Sequence, residues 1–139
     1  SGPDSPAAPP GFAYVARAAF VNHVGPILQS VDEPPDRVRL GLRVAAVHAN
    51  TLGLMHGGMT ATLVDSAMAR ALVKIVARRC VTLKMTLEYL DAIRIGDWVE
   101  AEGFLVSRDE KDAVTECHVR VNGVLKAKGT GVFRLLRPL

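Results

Sequence analysis

The segment HANTLGLMHGGMTATLVDSAM, residues 48–68, contains one carboxylate, Asp65, in an otherwise apolar or small-residue stretch. No residue three or four positions away on either side is charged, so no ion pair within a helix can compensate it. Burying an unpaired carboxylate costs several kcal/mol. A carboxylate held in this way could act as a general base or a nucleophile. The structural alternative is that Thr62, Ser66 or a distant Lys or Arg satisfies it.

A glycine pair precedes this carboxylate, where His56-Gly57-Gly58 stands at the predicted start of the same helix. Two residues without side chains let a ligand oxygen approach the free backbone amides and the positive end of the helix dipole. Such donors would stabilise an oxyanion, although a Gly-Gly pair also fits a tight, packed turn. Asn50 could present its side-chain amide to the same pocket or cap the loop.

Metal-binding and disulfide patterns are not evident in the sequence. His48 and His56 fit no usual ligand spacing, and no carboxylate completes a set, so we expect no metal and no cofactor. Cys80 and Cys117 stand alone, without a CxxC pair. A reducing cytoplasm is therefore the expected compartment.

A long helix is predicted from about Gly57 to Ala77. Its first dozen residues are apolar or small all round, which is typical of a helix inside a protein. Arg70 and Lys74 mark a solvated stripe only towards its end. At 100° per residue, Asp65 lies about opposite Lys74 and should point away from water.

The remaining pattern predicts a short helix and a set of antiparallel strands. Residues 11–26, GFAYVARAAFVNHVGP, have apolar positions at helical spacing, whereas residues 37–44, RVRLGLRV, alternate as a strand with one wet face. Alternation returns after the long helix, and Asn122-Gly123 between two alternating runs predicts a hairpin. In the run VTLKMTLEYL the apolar positions predicted to share one face are Val81, Leu83, Met85, Leu87 and Tyr89. The order is a helix, a strand, a long helix and about four strands, an α+β class.

Composition indicates one domain. The chain has 139 residues, 49% hydrophobic and 22% charged, which suits a single core over residues 11–139 after a loose, proline-rich tail at residues 1–10. The net charge of +3 is spread without a basic run, so nucleic acid is not an expected partner. No apolar run approaches the roughly 18 residues of a membrane span, and no leader pattern is visible. We expect a soluble protein without a membrane partner.

The segment HANTLGLMHGGMTATLVDSAMA resembles the HxNxxGxxHGG…D signature of hotdog-fold acyl-CoA thioesterases, in the phenylacetic-acid-degradation (PaaI-like) branch of the 4-hydroxybenzoyl-CoA thioesterase superfamily. The resemblance continues through Tyr89-Leu90 and Gly96-Asp97. It implies a long helix wrapped by a curved antiparallel sheet, dimers joined edge to edge, and often tetramers of two dimers. Leu90-Asp91-Ala92 departs from the family, because it lacks the proline that often follows this Tyr-Leu.

The resemblance also assigns roles to residues. Asn50 and Gly57 match the pair that binds the substrate carbonyl, and Asp65 matches the catalytic carboxylate. Thr82 falls where relatives carry a Ser or Thr that supports the carboxylate or its water. The neighbouring residues His56, Gly58 and Met59 are expected to contact an acyl-CoA substrate, and Met59, Phe12 and Phe20 could line an aliphatic acyl pocket.

Thioester hydrolysis suits a single carboxylate. A thiol leaving group has a pKa of about 8.5 and departs without a general acid. Gly57 and Asp65 are eight residues apart, or roughly 12 Å along a helix, and cannot act together on one carbonyl. If both are catalytic, two antiparallel helices from paired subunits must bring Gly57 of one chain to Asp65 of the other.

Two other functions remain open at this stage. A hotdog domain could bind acyl-CoA as a sensor without cleaving it, but such a sensor would usually need an output module. An acyl-thioester dehydratase would require a His on or near the helix, and none occurs between Gly57 and Ala77.

Overall fold

In the computed structural model, which describes residues 7–14 and 18–139, a seven-stranded antiparallel sheet packs around one long helix. The strands are β1 (Phe12–Tyr14), β2 (Leu28–Ser30), β3 (Arg37–Arg43), β4 (Arg78–Tyr89), β5 (Trp98–Arg108), β6 (Asp112–Val121) and β7 (Val124–Pro138). The helices are α1 (Ala19–Val24) and α2 (Gly57–Val76), with a 3-10 turn at Ala46–His48. The sheet order is β1-β2-β3-β5-β6-β7-β4. This architecture confirms the predicted hotdog fold.

Helix α2 forms the centre of the core; it begins at the predicted Gly57 and ends at Val76, one residue before the predicted end. Its buried residues are Met59, Thr60, Leu63, Val64, Ala67, Met68, Ala71 and Leu72. The sheet approaches it closely, because a Cβ at Gly103 of β5 would lie 2.5 Å from the Ala67 carbonyl oxygen. The helix ends at Ala77, which adopts the left-handed conformation with φ 57° and donates its amide to Val73.

Strand β4 forms one edge of the sheet and contains a bulge. Among the described strands it pairs with β7 alone, and the register shifts between Thr82 and Lys84, so that Leu83 is an extra residue. The bulge reverses the alternation. The side chains directed to α2 or the core are therefore Cys80, Thr82, Met85, Leu87 and Tyr89. The prediction that Val81 and Leu83 share the face of Met85 is wrong; both are about half exposed.

The outer face of β3 is polar, as predicted. Arg37 and Arg39 both bind the Glu102 carboxylate on β5, with nitrogen-to-oxygen distances of 2.9 and 2.7 Å. Gly41 lies on the same face beneath the Trp98 ring, where a Cβ would be only 2.2 Å from that ring. The hairpin at Asn122-Gly123 is also confirmed, because both residues have the positive φ angles of a type I′ turn.

The prediction of one helix across residues 11–26 is wrong in its first part. Phe12–Tyr14 form β1, which pairs with β2, and Gly11 precedes them with φ +83° while its carbonyl accepts the Val31 amide at 2.8 Å. Pairing with β2 outweighs the helical spacing of this segment. The helix is confirmed at Ala19–Val24. Residues 15–17 of the predicted helix lie outside the described residues.

Residues 1–6 of the predicted tail lie outside the described residues. The domain boundary at residue 11 therefore stays a prediction. No helix in the described ranges is long and apolar enough to cross a membrane. Cys80 and Cys117 are free, as their isolation in the sequence indicates.

Candidate active site

In the first turn of α2, one backbone amide has no partner among the described residues. His56 caps the helix, because its Nδ1 accepts the Gly58 amide at 2.8 Å and its carbonyl oxygen accepts the amides of Met59 and Thr60. Three of the four amides at the helix start are thus paired. Within residues 7–14 and 18–139, the Gly57 amide has no hydrogen-bond acceptor. Of the two glycines, Gly57 is therefore the one whose amide is available to a ligand.

A cavity of about 190 Å³ lies beside Gly57. Its lining residues are Asn50, Leu54, Met55, Gly57, Thr60, Tyr89, Asp91, Ala92, Ile93, Lys126 and Ala127. The walls come from the loop before α2, the first turn of α2, the end of β4 and the start of β7. A helix N-terminus that opens into such a cavity favours an anionic or partly negative oxygen.

Asn50 caps its loop and also reaches the cavity. Its Oδ1 accepts the backbone amides of Leu52 at 2.9 Å and Leu54 at 3.2 Å. These two bonds fix the side-chain amide with its oxygen towards the loop, so Nδ2 is the group left to donate. The two roles considered for Asn50 are therefore compatible, and its free donor lies beside the same cavity as Gly57.

Asp65 lies on α2 against the edge strand. Its Oδ1 accepts the Thr82 hydroxyl at 2.6 Å. Thr62, one of the partners considered within the helix, bonds the Gly58 carbonyl instead. Asp65, predicted to point away from water, is only partly buried in the single chain. Burial and the Asp65 charge together raise the pKa of the nearby Cys80 thiol, which therefore stays protonated.

The predicted residues thus fall into two half-sites, which lie at different positions along α2. Asn50 and Gly57 form the first, and Asp65 and Thr82 form the second. The unbroken helix separates Gly57 from Asp65 by eight residues, or roughly 12 Å. One chain does not bring the Asp65 carboxylate to Asn50 and Gly57, the two residues predicted to bind the substrate carbonyl.

The residues predicted to contact substrate lie around the first half-site. His56 is exposed and serves as the helix cap, Gly58 is exposed, and Met59 is buried in the core. None of the three lines the cavity beside Gly57, and their contact with substrate stays a prediction. Phe12 packs edge-on against Trp98 on the outer face of the sheet, and Phe20 is exposed on α1. Neither residue lines this cavity.

Two further groups in the cavity wall had no predicted role. The Tyr89 hydroxyl donates to the Gly57 carbonyl at 2.7 Å. Lys126 binds the Asp91 carboxylate at 2.9 Å, and this bond is the main reason why the pKa of Asp91 is lowered. The Asp91 amide donates to the Lys126 carbonyl, a bond that a proline at this position could not make. The Tyr-Leu motif was the only sequence signal for this part of the cavity wall.

The histidines are used structurally. His48 is buried, with Nδ1 accepting the Ala45 amide and Nε2 against the Val24 carbonyl. Within the described residues no group of three or more His, Cys, Asp or Glu side chains could hold a metal ion.

The fold defines the class of protein, a hotdog domain. Its central helix begins at Gly57, the residue predicted to bind a carbonyl, and carries the Asp65 carboxylate about two turns later. The sequence profile of the thioesterase superfamily matches residues 52–127, which is more than half of the chain. The chain belongs to this superfamily. Acyl-coenzyme A thioesterase 13 of Mus musculus is 29% identical over 103 residues, covering 71% of this chain and 73% of that protein.

Solved structures agree with this assignment. A conserved protein of Pseudomonas aeruginosa has a TM-score of 0.79 at 29% identity, covering 86% of this chain and 95% of its own. A mutant of the phenylacetic acid degradation protein PaaI from Thermus thermophilus has a TM-score of 0.77 at 27% identity, covering 86% of this chain and 100% of its own. The resemblance to the PaaI-like branch is thereby confirmed.

Proposed function

We propose that the protein is an acyl-CoA thioesterase, which hydrolyses an acyl- or aryl-CoA to the free acid and CoA. The proposal rests on one observation: the chain contains both a set of available hydrogen-bond donors and a carboxylate held by a neighbouring hydroxyl. Gly57 and Asn50 line one cavity, and Asn50 Oδ1 is used by the loop, which leaves Nδ2 as its donor. Thr82 bonds Oδ1 of Asp65, which leaves Oδ2 for the reaction. Membership of the thioesterase superfamily supports the same reaction.

The chemistry needs only these groups. The two donors bind the thioester oxygen and stabilise the negative charge that develops on it. Asp65 either removes a proton from the attacking water or attacks the carbonyl carbon itself, after which water releases the acid. The carbon–sulfur bond breaks, and the thiolate leaves without a general acid because its pKa is about 8.5.

We propose that each site is shared by two chains. Strand β4 presents a twelve-residue edge that no other described strand covers, which is a surface suited to pairing with another strand. Two β4 edges paired antiparallel about a two-fold axis would continue the sheet and place two α2 helices side by side.

The contacts along β4 support this arrangement. Tyr89 contacts Gly57 near one end of the strand, and Thr82 contacts Asp65 further towards the other. In a two-fold pairing centred between them, Thr82 of one chain lies opposite Tyr89 of its partner. Asp65 of one chain then faces Gly57 of the other, at both sites of the dimer.

The proposal extends to the partners, the compartment and the assembly of the protein. The substrate is an acyl-CoA, and neither nucleic acid nor membrane is a proposed partner. We expect the cytoplasm as the compartment, and a homotetramer built from two of these homodimers. Light scattering of the purified protein would measure the oligomeric state.

The experiment is a thiol-release assay across acyl-CoAs of graded chain length and aromaticity, with Asp65→Asn as the key variant. We expect the variant to fold, by circular dichroism, and to lose activity by at least about 100-fold. Glu110→Gln, at the exposed tip of the β5–β6 hairpin, is the control and should retain full activity. Full activity of Asp65→Asn would overturn the catalytic role. Binding of CoA esters by the wild type without hydrolysis would favour the non-catalytic binding domain.

A further inference from the structure

The hydroxyl of Tyr89 is directed at the element that carries the proposed carbonyl donor. It lies 2.7 Å from the Gly57 carbonyl oxygen, and its ring packs beside the Gly57 Cα, since a Cβ there would be 3.3 Å from the hydroxyl. Tyr89 also lines the cavity together with Asn50. The side chain therefore touches the first residue of α2 from the side on which substrate would bind.

Gly57 needs such a contact because its own conformation is weakly restrained. Two successive glycines begin α2, and glycine is among the poorest helix formers. The first turn of a helix also frays readily. His56 fixes the Gly58 amide, and the side chain that bonds Gly57 is that of Tyr89. A bond to the Gly57 carbonyl restricts this residue and, with it, the direction of its unpaired amide.

Burial raises the pKa of the Tyr89 hydroxyl, which keeps it a donor at neutral and mildly basic pH. The β4 bulge is also essential to this contact. Thr82 and Tyr89 are seven positions apart, so in a strand without a bulge their side chains would lie on opposite faces of the sheet. The bulge at Leu83 places them on the same face. With the bulge, one edge strand supports both half-sites.

We propose that Tyr89 is a positioning residue for the oxyanion donor, acting through its hydrogen bond to the Gly57 carbonyl. The inference rests on the proposed thioesterase function. It assigns Tyr89 to the half-site of Asn50 and Gly57, and to neither Asp65 nor Thr82. That assignment can be measured because the two half-sites of one catalytic centre would come from different chains.

The first test is Tyr89→Phe, which removes the hydroxyl and retains the ring. We expect kcat to fall roughly five- to tenfold, as for the loss of one hydrogen bond, with KM changed less than about twofold. The control is Tyr14→Phe on β1, the opposite edge of the sheet, which should leave kcat unchanged. An unchanged kcat in Tyr89→Phe would overturn the proposal.

The second test separates positioning from a general structural effect. Tyr89→Phe is refolded together with Asp65→Ala, and separately together with Asn50→Ala. Mixing with Asp65→Ala should raise activity several-fold over the unmixed controls, because about a quarter of all sites then combine two intact halves. Mixing with Asn50→Ala should give no gain, since both changes affect the same half-site. The reverse pattern, or equal gains, would overturn the assignment of Tyr89.

A reference mixture of Asn50→Ala with Asp65→Ala tests the shared site separately from the role of Tyr89. Recovery in this mixture without the expected pattern for Tyr89→Phe would overturn the Tyr89 inference alone. No recovery in the reference mixture, with heterodimers confirmed by native mass spectrometry, would overturn the shared site and the Tyr89 assignment with it.

Discussion

The Thr82 hydroxyl lies 2.6 Å from Asp65 Oδ1, and it joins the edge strand to the central helix. The bond uses Oδ1, so Oδ2 is the oxygen that would act on water or on a carbonyl in the proposed reaction. It also accounts for a charge that has no partner within its own helix. The carboxylate is therefore held in one orientation by a residue seventeen positions further along the chain.

Removing this support should slow turnover without unfolding the protein. Thr82→Ala deletes a hydrogen bond to a charged group, which is worth about 1.5 kcal/mol, so kcat should fall roughly tenfold. Thr82→Ser keeps the hydroxyl and should retain activity within about twofold. Thr130→Ala, exposed on the outer face of the neighbouring strand β7, is the matched control. Equal kcat values for Thr82→Ala and Thr82→Ser would show that the hydroxyl has no role in turnover.

Asn50→Asp separates the two roles of Asn50. A carboxylate oxygen can still accept the amides of Leu52 and Leu54, so the loop should fold as before. The Nδ2 donor is lost, and a negative charge is placed beside the developing oxyanion. Thiol release should fall by roughly 100-fold or more.

The control for this change is Asn122→Asp, in the β6–β7 turn, which keeps a residue that tolerates positive φ. It should be fully active. If Asn50→Asp were also fully active while folded, Asn50 would serve only as a loop cap.

Glu102 should make stability depend on pH. Burial alone would raise its pKa, but the hydrogen bonds from Arg39 and Arg37 outweigh burial and lower it. The folded chain therefore releases this proton more readily than the unfolded chain, whose Glu pKa is about 4.3. The stabilisation is fully present above that pH and is lost as pH falls through the lower pKa of the folded state.

Urea unfolding of the wild type and of Glu102→Gln at several pH values measures this contribution. At pH 7 the variant should be less stable by about 1 kcal/mol, and the difference should shrink steadily below about pH 4.3. A difference that stays constant between pH 7 and pH 3 would contradict the cause given for the lowered pKa.

Ala77 offers a stabilising change at the end of α2. Its φ of 57° lies in the left-handed region, where a Cβ is unfavourable and glycine is preferred. Ala77→Gly should raise the free energy of unfolding by about 0.5–1 kcal/mol, with thiol release unchanged because the residue is remote from both half-sites. The control Ala61→Gly, inside the helix, should lower stability by about as much. Destabilisation by Ala77→Gly would contradict the left-handed cap.

The central helix and the hairpin could be predicted because their signals are local. Gly57 to Ala77 carries a continuous apolar and small-residue pattern, and Asn122-Gly123 has a turn preference of its own. The candidate residues Asn50, Gly57 and Asp65 could be identified for a similar reason, since one short motif contains all three. The pairing of Thr82 with Asp65 was accessible only through family resemblance.

Features that depend on distant contacts could not be predicted. Phe12–Tyr14 has helical spacing, but β2 supplies pairing partners that the local sequence does not show. The bulge at Leu83 cannot be recognised from the sequence, because apolar and polar residues alternate through it without a break. The extra residue nevertheless changes which face of the sheet the following side chains occupy. The role of Tyr89 depends on that bulge. Only the folded strand reveals that it reaches Gly57.

The most direct test of the shared active site is recovery of activity in mixed dimers. Asn50→Ala and Asp65→Ala should each be nearly inactive, because every site in either homodimer lacks one component. After joint unfolding and refolding, half of the dimers should be mixed, and each should hold one intact site, giving about a quarter of wild-type thiol release. No gain over the separately refolded variants, despite heterodimers confirmed by native mass spectrometry, would contradict a site built from two chains.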